Sequence, residues 1–185
     1  MQQTATSGAV TLQEFELMKQ TALFTAEDDR HLQRSYEILK DQTDDVLDVW
    51  YGFVGSHRQL VSTFAPDGGQ PDANYLAAVR ERFAQWILDT ASANYDQEWL
   101  DYQHEIGLRH HRTKKNATDG VDATAIVPFR YLFPLVFPVI HTLREFLAKG
   151  GDDEATIVAM QQAWLKSALL QLTLWSRPYV KDGDF

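Results

Sequence analysis

Apolar residues recur along this chain at spacings of three and four, and no convincing run alternates apolar with polar. That period belongs to helices rather than strands. Thr11–Glu14, "TLQE", has the form of a capping box opening a helix through "LQEFELMKQ", and Thr25 in "TAEDD" offers a second cap. Beyond it, Leu32, Tyr36, Leu39, Val46, Leu47, Trp50, Phe53 and Val54 keep helical spacing over one long segment. Gly55 and Ser56 then suggest a stop and the next cap. "FAPDGGQPDA" is a loop by its prolines and glycines, and Asp72 caps a helix striped by Leu76, Val79, Phe83, Trp86 and Ile87.

A further helix, "HEIGLRHH", is expected from near Tyr95, followed by the loop "NATDGVDATAIVP". Two long helices close the chain, Pro128–Ala148 and Asp152–Tyr179, separated by "KGGDD". Both are apolar on more than one face, so one face can meet the core while the other calls for a partner. Pro134 and Pro138 should kink the first of them. The pattern predicts an all-α domain of six to eight helices. No strand–loop–helix unit carries a glycine-rich phosphate loop, and "DGGQP" lies between helices.

Composition narrows the chemistry. A net charge of -9 sets most of the surface against a phosphate backbone, so nucleic acid is not an expected partner. The absence of cysteine excludes disulfides, thiolate-ligated or covalently attached haem, all-cysteine iron–sulfur clusters and cysteine zinc sites. The N-terminus "MQQTATSGAV" lacks the basic start and apolar block of a signal peptide, and a cytoplasmic location is expected. The most apolar stretch, residues 127–140, carries Arg130 and three prolines and is too short to span a bilayer, so no membrane is expected.

The densest chemistry is "HEIGLRHHRTKKN", residues 104–116. It opens like the zinc-protease signature H-E-x-x-H, but Leu108 stands where the second histidine is required. His104 and His111 are seven apart, and His110 and His111 point about 100° from each other, so no pair chelates one ion. A haem needs only one imidazole. Trp99, Gln103, Ile106 and His110 share a stripe, with Gly107 leaving room for close approach, which favours His110. The same position also suits a core or interface histidine whose nitrogen is satisfied locally. The basic run Arg109, Arg112, Lys114 and Lys115 fits a solvated helix end, although one arginine could meet a cofactor carboxylate.

"DVWYGFVGSH", "VRERFAQWILDT", "WLDYQHEIGLRHHRTKKN" and "WSRPYVKDGDF" together resemble the protoglobins, single-domain relatives of globin-coupled sensors, from about Leu17 to Phe185. The resemblance implies a single domain over 1–185: a globin fold, a three-over-three helical sandwich with an extra N-terminal helix, after a flexible tail over residues 1–10. It implies haem b (iron protoporphyrin IX) and a homodimer through the two C-terminal helices. Carried over by position, His110 matches the proximal iron ligand. Trp50 and Tyr51 match the distal pair, with the tyrosine hydroxyl near the bound gas. Phe64 and Phe83 match aromatics of the distal pocket, and Leu135 stands where a relative has phenylalanine, which would make the pocket roomier. The implied function is reversible binding of oxygen, carbon monoxide or nitric oxide at a five-coordinate iron, as sensor, carrier or scavenger. The alternatives are a haem enzyme (peroxidase-like, nitric oxide dioxygenase, or carbene or nitrene transfer), whose turnover would require an external redox partner, and a haem-free helical interaction module.

Overall fold

Two capping boxes begin the fold. In the computed structural model, which describes residues 10–185, the Glu14 carboxylate accepts from the Thr11 N–H at 2.8 Å and the Thr11 hydroxyl accepts from the Glu14 N–H, opening α1 (Leu12–Thr21). Thr25 and Asp28 form a second box at the start of α2 (Ala26–Leu39). Both fall where the sequence puts them, and each cap contributes about 1 kcal/mol. The tail expected over 1–10 lies outside the described residues except for Val10. Val10 is buried and its carbonyl accepts from Gln97 Nε2 at 3.2 Å, so that end of the stretch is packed.

The run from Thr25 to Val54 is not one helix. The chain turns after Lys40, and α3 (Thr43–Gly55) starts afresh. Gln42 makes the corner: its N–H donates to Leu39 O at 2.8 Å and its side-chain amide to Ile38 O at 2.7 Å. Leu39 and Val46 are seven apart and enter the same core, so the apolar rhythm continues across the break and hides it. Ser56 does not cap the next helix. Its hydroxyl donates back to Phe53 O at 2.7 Å, and the short α4 (Arg58–Val61) starts after His57.

Asp72 caps α5 (Ala73–Ser92), accepting from Tyr75 N–H at 2.8 Å. Asp96, one residue beyond Tyr95, caps α6 (Gln97–His110) in the same way. The expected helix Pro128–Ala148 is divided into α7 (Phe129–Leu132) and α8 (Val136–Leu147). Proline lacks an N–H and cannot sit inside a helix without loss of a bond. With α8 beginning at Val136, Pro138 falls in the first turn, where no N–H is needed, so the chain breaks near Pro134 rather than bending twice. Asp153 caps α9 (Glu154–Ser176), accepting from Thr156 N–H at 2.8 Å. Among the described residues there are helices and no strand, as the pattern predicts; the two four-residue helices, α4 and α7, take the number past the expected range.

The core centres on α9, which packs against α2, α6 and α8; α3 lies across α5 and α8. Trp164 is fully buried and its indole N–H donates to Ser35 Oγ at 2.9 Å, joining α9 to α2. Gln171 accepts from Trp86 Nε1 at 2.6 Å and donates to Thr90 and Ser167, so its buried amide is partnered at both ends. Residues Phe129–Gly150 are long and apolar enough to cross a membrane by length and composition, longer than the stretch the sequence singles out. Here that segment is broken, and Leu132, Val136, Leu143, Phe146 and Leu147 are buried against neighbouring helices.

Candidate functional site

Between α3, α5, α6, α8 and α9 lies a cavity of about 280 Å³. That is near the low end of the roughly 300–1,000 Å³ of small-molecule sites and far more than a diatomic gas needs. Trp50, Tyr51, Phe64, Phe83, His110 and Leu135 all line it, so the fold brings together every residue singled out from the sequence.

One wall is apolar and aromatic. Trp50, buried on α3, meets Phe83 of α5 edge-on at 5.7 Å and Phe53 at 5.5 Å. Tyr51, Phe64, Leu135 and Val139 pack on the same cluster with Val54 and Leu60. The Tyr51 hydroxyl has no hydrogen-bond partner among the described residues, although other tyrosine hydroxyls in the chain do. Burial pushes its pKa up to about 12, so it stays a neutral O–H donor at ordinary pH.

Another part of the lining is built around His110, the last residue of α6. Its Nδ1 lies 2.9 Å from Ile106 O, which makes Nδ1 the donor and leaves the Nε2 lone pair free. The ring stacks on Trp175 at 5.2 Å and 15°. Its carbonyl accepts from Val127 N–H at 2.9 Å and from the Tyr179 hydroxyl at 2.8 Å. Backbone, ring plane and tautomer are thus all fixed. Burial holds the imidazole below its usual pKa, with the Ile106 carbonyl opposing and Lys115 adding to the shift. The neutral form, the one able to donate a lone pair to a metal, is favoured.

The neighbouring histidines do not share this setting. His111 is bonded at Nδ1 to Thr113 Oγ1, at 2.7 Å, and His104 lies off the cavity with Nδ1 buried and unpartnered. Of the histidines, His110 alone lines the cavity, and no cluster of three or more His, Asp or Glu among the described residues could hold a metal ion. A site of this kind suits a cofactor that brings its own ligands and asks for one nitrogen.

Several cavity residues escape a sequence reading. Trp175 was legible only as one apolar position on α9, yet it donates from Nε1 to Gln103 Oε1 at 2.8 Å and supports the His110 ring. Gly107 has the role its spacing suggests, but what comes close is α9 rather than a ligand: a Cβ there would lie 2.9 Å from Trp175 O and 3.0 Å from Trp175 Cα. Gly107→Ala therefore pushes two backbones apart. The helix-propensity gain of up to about 1 kcal/mol is outweighed by overpacking of about 1–3 kcal/mol. Urea unfolding should show a less stable protein, and a variant as stable as the parent would refute the close-packing account.

The basic run is only in part the solvated helix end expected of it: Arg112 is exposed, but the others are engaged. Arg109 and Lys114 share Glu105, at 3.0 and 2.6 Å, and Lys115 is buried at 3% exposure in the cavity wall. Arg82 also reaches the cavity, held by Asp119 through two bonds of 2.9 and 2.7 Å. No signal in the sequence marks Lys115 apart from its neighbours.

The protoglobin family model matches residues 11–185. Among solved structures, the globin domain of the Geobacter sulfurreducens globin-coupled sensor superposes with a TM-score of 0.65 at 15% identity, covering 93% of this chain and 99% of that one. None of the curated proteins compared with it matches. The structural likeness gives the fold, a globin fold with α1 preceding it, and the family match over nearly the whole length gives the lineage: this chain belongs to the protoglobin family.

Proposed function

We propose that the cavity holds one haem b, bound through His110 Nε2, and that the protein reversibly binds a diatomic gas, oxygen, carbon monoxide or nitric oxide, on the side of Trp50 and Tyr51. The observation that carries this is His110 itself: the one cavity histidine, with Nδ1 committed to Ile106 O and Nε2 free. The donor set fits the cofactor. Aromatic side chains in the lining would suit a flat apolar macrocycle, the cationic ones would suit its carboxylates, and one imidazole would supply a protein ligand to its iron. Haem, when bound, supplies the iron that takes the gas. His110 Nε2 would hold that iron, Trp50, Phe83 and Leu135 would exclude water from the cavity, and Tyr51 would offer its hydroxyl proton to a polarised ligand. The solved neighbour is named as part of a sensor, which is the reason to count sensing among the roles, beside carriage and scavenging. Reduced protein exposed to carbon monoxide should shift its Soret band reversibly; a spectrum indifferent to the gas would refute gas binding.

A homodimer through α8 and α9 belongs to the same proposal. Val158, Leu165 and Leu169, at spacings of seven and four, form an exposed stripe on α9, and Phe137 on α8 is 74% exposed with its ring stacked only on His141. Apolar surface of this kind, continuous with two core helices, fits a second copy of itself. Light scattering should give about twice the chain mass of 21.2 kDa at micromolar concentration. Leu165→Glu with Leu169→Glu should yield a folded monomer that still takes haem, and a parent protein that is already monomeric would overturn the dimer.

A further inference from the structure

Lys115 is the unexplained charge of the cavity. It lies in the loop after α6, its backbone N–H bonded to His111 O at 3.1 Å, and the side chain is buried against the cavity. The other cations there are already compensated: Arg82 by Asp119, Arg109 by Glu105. Lys115 has no carboxylate partner among the described residues. Its ammonium has one long contact, 3.5 Å to Asn116 Oδ1, and lies 5.8 Å from the centre of the Tyr75 ring. Both partners are neutral.

A buried ammonium costs several kcal/mol unless something repays it, and lysine is almost never fully buried without a partner. The neighbours in hand do not repay it. Burial alone pulls its pKa down to about 8, with no counter-charge to oppose the shift. On the reading that the cavity holds haem, the cofactor would bring two carboxylates, which suit the cationic side chains of the cavity lining.

We propose that Lys115 is the anchoring cation for one haem propionate, forming an ion pair in the cavity wall while Arg82 and Arg109 remain with Asp119 and Glu105. The inference rests on haem being the ligand but assigns a contact the family match does not. It also gives a reason for a buried lysine at a place where an uncompensated charge is costly.

The test compares wild type, Lys115→Met and Lys115→Arg, each loaded with iron protoporphyrin IX or with its dimethyl ester, which has no carboxylate charge. Loss of the porphyrin to excess apomyoglobin is followed by absorbance. From wild type, esterification should speed loss roughly ten-fold, the scale of one charge-assisted bond. Lys115→Met should speed loss of the free acid by a similar factor, and in that variant esterification should add much less. Lys115→Arg should retain most of the contact. Because the ester comparison is made within each variant, it reads the contact whatever the substitution does to the fold. Urea unfolding of the apoproteins should find Lys115→Met at least as stable as wild type, which a merely structural lysine would not allow. An ester penalty undiminished in Lys115→Met would overturn the propionate contact while leaving haem binding intact. A wild type that takes up neither porphyrin would overturn the haem reading, and this inference with it.

Discussion

Replacing His110 with alanine should abolish tight haem retention or leave a form that added imidazole rescues. No other histidine lines the cavity, so no side chain can take over. Removing an outer-shell partner of a metal ligand already costs roughly 10–100-fold in affinity; removing the sole protein ligand should cost more. The vacated space is walled by Trp175 on one side and by the α6 backbone at Ile106 on another, a slot of imidazole shape with a carbonyl acceptor in place. Free imidazole should therefore bind there and return the spectrum. His104→Ala and His111→Ala should keep the Soret band, since one lies off the cavity and the other is tied to Thr113. Should His111→Ala lose haem while His110→Ala keeps it, the register of the proximal ligand is wrong by one residue.

Tyr51→Phe should speed oxygen dissociation about ten-fold and change carbon monoxide dissociation far less. Tyr51 lines the cavity and its hydroxyl has no partner among the described residues, so its proton is available. A net hydrogen bond contributes about 0.5–1.5 kcal/mol with a neutral partner and about 1.5–3 with a charged one. Oxygen polarises on binding and falls near the boundary between them, and about 1.4 kcal/mol is ten-fold. Carbon monoxide polarises little. With its pKa raised to about 12, Tyr51 keeps its proton up to strongly alkaline pH, so the oxygen effect should not vary between about pH 6 and 9. Stopped-flow measurement of both off-rates decides it. Equal changes for the two gases would reduce Tyr51 to packing.

Much of this was legible because it is local. The capping boxes at Thr11 and Thr25, the Asp72 cap, and the stripe ending in His110 depend on residues within a turn of one another. The stripe position of His110 could be read from the chain; what distinguishes its setting from that of His111 is the stack on Trp175 and the bonds from Tyr179 and Val127, which lie far away in sequence. Elements that depend on tertiary packing were misread. The corner at Lys40–Gln42 contains no glycine or proline and keeps the apolar rhythm, so only the docking of α3 across α5 and α8 reveals it. Lys115 and Lys114 are adjacent and chemically alike. One pairs with Glu105 at the surface and the other turns into the cavity, a difference set by the loop after α6. The resemblance supplied Trp50, Tyr51, Phe64, Phe83 and Leu135 as a set; periodicity alone would leave them as core.

The most direct test of the account is an absorption titration of the purified, haem-depleted protein with haemin. A Soret band that saturates at one haem per chain is predicted. A titration without that band, or one that rises without saturating as haemin does on any apolar surface, would contradict it.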